Sequence, residues 1–208
     1  MEKYEQRLIN LIKSAQEEYS DKYFIIAIPV FLGKKFVAYC SMKEDIELII
    51  KYIDLLNEEV DDVIKSSLTY ALISLYGKCF TDASKQKFPK LESKNLFEDK
   101  PELLLQHEFL MDLRHHFIAH RGETESEIGI SYLIIPKEGD MNETQVRFSQ
   151  LKQISFSKQQ LNLLKELMLY IHNYLIEKIQ KNGQKLHDDC FKIFDINTLK
   201  SMMINSVK

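Results

Sequence analysis

The chain has 208 residues, a mass of 24.5 kDa and a formal net charge of −3, with 45% hydrophobic and 28% charged residues. That composition suits a soluble globular protein with one well-buried core, and only 6 Gly and 4 Pro argue against a many-turned all-β protein. No global basic field exists to hold nucleic acid nonspecifically, so any RNA contact has to be a local cationic patch.

Cys40, Cys79 and Cys190 are far apart, odd in number and without Cys-x-x-Cys spacing. Neither a zinc site nor a disulfide framework is expected, and a reducing cytoplasm fits. The opening Met1-Glu2-Lys3-Tyr4-Glu5 has neither the basic region nor the apolar core of a signal peptide. The most apolar run, Tyr23 to Leu32, contains Pro29 and is too short for a bilayer, which needs about 20 residues. The expectation is a soluble, cytoplasmic protein without membrane contact and without a cofactor.

In chain order, Tyr4, Leu8, Leu11, Ile12, Ala15 and Tyr19 keep helical spacing and predict a first helix over 2–19. Residues 23–40 are rich in Ile, Val, Phe and Tyr, and Leu32-Gly33-Lys34 can turn a short hairpin, with Pro29 making its first half an edge strand or an irregular passage. Ser41 and Glu44 read as a capping box that opens a helix near 42. Its apolar spacing runs from Ile46 to Leu75, as one helix or as two broken near Asn57, with Gly77 and Thr81-Asp82 marking its end. Residues 81–100 are mostly charged and polar and read as a long connection.

Pro101 sits where a first helical residue belongs, and the next helix runs to about Ala119 with Leu103, Leu110, Leu113 and Phe117 on one stripe. Gly122 is placed to stop it. Two strands, 127–135 and 144–151, flank the turn Lys137-Glu138-Gly139-Asp140. Ser157 and Gln160 form a second capping box. It opens a helix with the stripe Leu161, Leu164, Met168, Ile171 and Leu175, which Asn182-Gly183 ends. A tail from 184 carries Phe191, Phe194, Leu199, Met202 and Met203, with Asn197 as the cap of a short last helix. The fold class is mainly α, a single domain over 1–208 with a bundle core at about 43–182 and one or two small β-hairpins.

One stretch concentrates chemistry: Leu113-Arg114-His115-His116-Phe117-Ile118-Ala119-His120-Arg121-Gly122. Cationic side chains in a last helical turn also stabilise the helix dipole, and that reading applies to His115, His116, His120 and Arg121. His116 and His120 at i, i+4 have no carboxylate or cysteine at a suitable spacing, so no metal is assigned. His172 reads as a half-buried, satisfied histidine, His107 as solvent-exposed or else as a support behind the motif, and Lys85, Lys87 and Lys90 as a solvated loop or else as RNA contacts. The aromatic residues mostly sit at core spacing, so they are not read as a base-stacking platform.

Residues 113–121 resemble the signature of the HEPN superfamily of small helical-bundle proteins: an arginine, usually a polar residue next, and a histidine four to six residues beyond. Arg114 and His120 match with five residues between them, and Phe117-Ile118-Ala119-His120 has the family's bacterial wording. The resemblance implies a HEPN-like antiparallel helical bundle over about 43–182. It also implies metal-independent RNA cleavage by 2′-hydroxyl attack, in a homodimer whose two motifs form one cleft. A toxin or anti-phage defence setting, with an antitoxin or other partner protein, comes from the resemblance alone. The catalytic residues it implies are Arg114, for the phosphate, and His120, as acid or base. His115, His116 and Arg121 are supporting or RNA-binding, with His115 standing where the family usually has Asn or Asp. The alternative is a non-catalytic HEPN-like module that binds RNA or a protein partner.

Helical geometry constrains the pair. Six residues of regular helix turn through about 600°, so Arg114 and His120 point about 120° apart unless the helix ends near Ala119 or a second subunit supplies half the site.

Overall fold

The computed structural model describes residues 2–19, 22–23, 25–82, 85, 88–118, 127–137, 144–152, 155–195 and 197–198. It is mainly helical with one small antiparallel hairpin, as the composition and periodicity lead one to expect. The helices are α1 (Glu2–Tyr19), α2 (Val30–Leu56), α3 (Asp62–Phe80), α4 (Ser93–Leu96), α5 (Pro101–Asp112) and α6 (Lys158–Ile193). A π-helical turn, Leu113–Ile118, follows α5, and β1 (Glu127–Ile134) pairs with β2 (Gln145–Lys152). Among the described residues no helix is long and apolar enough to cross a membrane.

The chain divides into two compact units, Cys40–Ile176 and Met1–Tyr39 with Glu177–Lys208. In the first, Ile46, Ile49 and Ile53 of α2, Leu72 and Ile73 of α3, and Leu110 of α5 are fully or almost fully buried. The predicted α6 stripe is buried with them, joined by Leu167. Each such side chain contributes about 1.5–3 kcal/mol by leaving water. In the second unit an apolar cleft of about 370 Å³ lies among Ile26, Ile28, Phe36, Leu186, Cys190 and neighbours.

Among the described residues no hairpin forms over 23–40. Residues 25–29 have no regular structure, and α2 starts at Val30 and runs through Ser41 without a break. Pro29 stands just outside the helix, where its missing N–H is not needed, and its carbonyl accepts from Leu32 N (2.9 Å) and Gly33 N (3.4 Å). The β-branched and aromatic residues that suggested strands express a weak preference that helix packing overrides, and Ala38 is buried from the helix. Ser41 and Glu44 therefore lie inside a helix and cap nothing.

The break near Asn57 is real. α2 ends at Leu56, and the Asp61 carboxylate caps α3 by accepting from Val63 N at 2.8 Å. Gly77 does not end α3, which continues to Phe80 before Thr81 closes it with Oγ1 donating to Gly77 O at 2.7 Å. The 81–100 connection is more structured than its polarity suggests. Leu91 N donates to Cys79 O at 2.9 Å, and Leu91, Leu96 and Phe97 are buried.

Pro101 starts α5 as expected. The capping box at Ser157 is reciprocal, Gln160 N to Ser157 Oγ at 3.2 Å and Ser157 N to Gln160 Oε1 at 2.9 Å. The helix it opens does not stop at Asn182-Gly183 but continues to Ile193. Asn182 Nδ2 donates back to Lys178 O (2.7 Å), and Gly183 lies under the Phe36 ring, where a Cβ would come within 3.2 Å of Cε2. Further on, Asp195 rather than Asn197 supplies the capping acceptor, taking hydrogen bonds from Asn197 N and Thr198 N.

The expected strands pair in register, Glu127 opposite Lys152 through Ile134 opposite Gln145. Lys152 Nζ lies 3.7 Å from Glu127 Oε2 and 5.3 Å from the centroid of the Tyr70 ring.

Candidate functional site

α5 delivers the motif. Leu110 and Leu113 are buried and pin the end of the helix to the bundle, and the chain then widens into the π turn that holds Arg114, His115 and His116. π geometry replaces i→i+4 with i→i+5 bonding, so the regular 100° step no longer describes how side chains fan out after Leu113. Such turns are rare, cost backbone geometry and occur frequently at functional sites.

Arg114 is half-buried, and its stem lies across Gly77 in the middle of α3. A Cβ at residue 77 would overlap Cδ and Nε of Arg114, so only glycine leaves room for this path. The glycine that looked like a helix terminator is a groove for the arginine. Among the described residues no carboxylate lies within ion-pair distance of Arg114. The aliphatic stem is packed while the guanidinium keeps its charge unneutralised by these residues.

His115 and His116 are exposed on the same turn. His116 Nε2 is 3.5 Å from Asp112 Oδ1, a surface i, i+4 pair of little energetic weight. Phe117 and Ile118 continue the π turn in backbone terms. His120 and Arg121, the second half of the sequence motif, lie outside the described residues, as does the expected stop at Gly122.

Directly before Gly77, Tyr76 is fully buried and its hydroxyl lies 2.7 Å from His107 Nδ1 on α5. His107 is buried, not exposed as expected from sequence. The rings of Phe80 (4.4 Å), Phe97 (5.3 Å) and Tyr76 (5.8 Å) enclose it. Burial pushes its pKa down to about 4 and raises the Tyr76 phenol well above its ordinary value. The ring is therefore neutral near pH 7 and shares one hydrogen bond with the phenol. This pair bolts α5 to α3 and so fixes the approach of the Arg114 stem to Gly77.

His172 is half-buried as expected, its Nε2 3.1 Å from Glu47 Oε1. Lys43 Nζ lies 2.7 Å from the same oxygen, and hydrogen bonding from Lys43 first, then His172, holds the Glu47 carboxyl below its usual range. Lys90 pairs with Glu92 at 3.7 Å, Lys85 is exposed, and Lys87 lies outside the described residues. Among the described residues no three His, Cys, Asp or Glu side chains cluster so as to hold a metal ion.

Sequence reasoning missed the roles of Gly77, Tyr76 and His107. The available signal was that Tyr76, Cys79 and Phe80 continue the helical spacing past Gly77, which marks an interior glycine needed for close packing. No family model matches the chain, and no curated protein or solved structure matches it.

Proposed function

We propose that this protein is a metal-independent endoribonuclease of the HEPN type, acting in the cytoplasm as a homodimer within a toxin or anti-phage defence system. The observation that most supports the reading is Arg114: a half-buried arginine seated in the Gly77 groove, without a carboxylate among the described residues, on a π turn beside two exposed histidines. A planar, permanently charged guanidinium so placed suits bidentate binding of a phosphate whose charge grows in the transition state.

In the reaction the ribose 2′-oxygen bonds to the adjacent phosphorus and the bond from phosphorus to the 5′-oxygen breaks. The products are a 2′,3′-cyclic phosphate and a 5′-hydroxyl. One proton leaves the 2′-hydroxyl and one reaches the departing 5′-oxygen. His120, whose side-chain type titrates near neutrality, carries the acid/base step in this reading. His115, His116 and Arg121 give further phosphate contacts.

The test is incubation of purified protein with labelled RNA in EDTA, beside Arg114→Ala and His120→Ala. Wild type is expected to cleave, with each variant slowed about 10²-fold or more. Equal cleavage by all three would identify a contaminant. No cleavage by wild type would leave the second reading, a non-catalytic HEPN-like module for RNA or a protein partner. That reading is favoured by His115 in place of Asn or Asp, and by the apolar surface of the β1–β2 hairpin.

A further inference from the structure

The β1–β2 hairpin has no counterpart in the chemistry above, and the inference drawn from it shares with the ribonuclease reading only the homodimer, for which it names one contact. Apart from half-buried Glu127, every residue of both strands is exposed. Ile128, Ile130, Tyr132 and Ile134 form one unbroken apolar row on one face of β1, and they are 44–64% exposed. An isolated two-stranded ribbon is marginal in water, and independent stability takes three or more strands with an apolar face, or a covering helix. Among the described residues the sheet has only these two strands.

The two outer edges differ. β2 carries Arg147 and Lys152, the kind of charge that protects an edge from pairing. β1 is uncharged from Ile128 to Ile134, a long apolar edge of the type that accepts another strand. We infer that the free edge of β1 pairs antiparallel with the β1 edge of a second copy of this chain, joining two hairpins into one four-stranded sheet.

Parity supports a copy of the same strand as occupant. In antiparallel pairing, residues directly opposite share a face, so a register centred on Ser131 sets Ile128 opposite Ile134 of the second copy and Ile130 opposite its Tyr132. The two apolar rows then lie side by side along the middle of the sheet, with aromatic and β-branched cross-strand pairs and the charged β2 strands outermost. A slip by one residue would set each apolar row beside the opposite face's Ser131 and Gly129, so the period-2 pattern selects the register. An interface made only of two strand edges is small, of the transient rather than the permanent kind. The product is a reversible dimer.

Sedimentation velocity on the full chain, from low to high micromolar protein, is expected to show a monomer–dimer equilibrium. Ile130→Lys, at a position exposed in the monomer, is expected to leave monomer at every concentration, while Val146→Lys on β2 keeps the dimer. Far-UV circular dichroism and a thermal melt show that both variants fold. Ser131→Cys, at the two-fold axis, is expected to cross-link to a dimer on mild oxidation, and Ser149→Cys on β2 is not. A wild-type chain that stays monomeric at the highest concentration overturns the inference and leaves a foreign strand as the occupant of the edge. A dimer indifferent to Ile130→Lys overturns it as well.

Discussion

The seam between α3 and α5 and the β1–β2 hairpin are built from similar side chains and use them in opposite ways. At the seam, Tyr76, Phe97, Leu110 and even His107 are withdrawn from water, and the single polar pair among them is satisfied within the chain. On the hairpin, Ile130, Phe148 and Leu151 are 64–78% exposed, and nothing among the described residues covers them. Apolar residue type alone therefore does not mark the core. The seam closes on itself and its substitutions should be read in folding. The hairpin is unfinished within one chain and its substitutions should be read in association.

The largest effect should come from pH acting on the seam. His107 titrates near 4 when folded against an ordinary 6.5. Between those values the unfolded chain binds the extra proton, so stability is constant above about pH 6.5 and falls as pH drops toward 4, by about 2–3 kcal/mol from this group. Denaturant titrations across that range should show the slope, and His107→Phe should remove it. The same variant leaves the Tyr76 hydroxyl unpaired and should cost about 1–3 kcal/mol at neutral pH. A wild-type curve as flat as that of the variant would mean the seam is wetter than its packing implies.

A smaller effect tests the groove. Gly77→Ala places a methyl on the path of the Arg114 stem and should displace the guanidinium while α3 stays folded. The proposed RNA cleavage should then fall as far as in Arg114→Ala. In the Arg114→Ala background the clashing atoms are gone, and Gly77→Ala should stabilise by about 0.5–1 kcal/mol through helix propensity alone. Equal effects of Gly77→Ala in both backgrounds would separate the two residues.

The smallest effect is expected on the hairpin. Phe148→Ser should change the stability of the dilute monomer by no more than about 0.5 kcal/mol, as for a surface position. A loss of several kcal/mol in a thermal melt at low protein concentration would place Phe148 in a core and erase the contrast with the seam.

Much of the architecture was legible because it is local. The α6 stripe, the Ser157–Gln160 box, Pro101 at the head of α5 and the alternating strands each repeat a short-range rule that holds whatever surrounds it. Three misreadings share a cause. Residues 30–40, Gly77 and Asn182-Gly183 carry strand or stop signals of order 1 kcal/mol, and neighbours distant in sequence outweighed them. For the candidate site, the cluster around Arg114 stands out in the sequence, but the Gly77 groove that seats Arg114 does not.

The amino-acid sequence by itself determined a mainly helical chain, its two adjacent strands and the Arg114–His115–His116 cluster, because periodicity, capping and residue chemistry act over a few neighbours. Only the tertiary structure decided that Gly77 is a groove rather than a stop, that His107 is buried and neutral, and that the hairpin's apolar rows are uncovered among the described residues. Those properties depend on which surfaces meet, and α3 meets α5 across some thirty residues of sequence that no short-range rule spans.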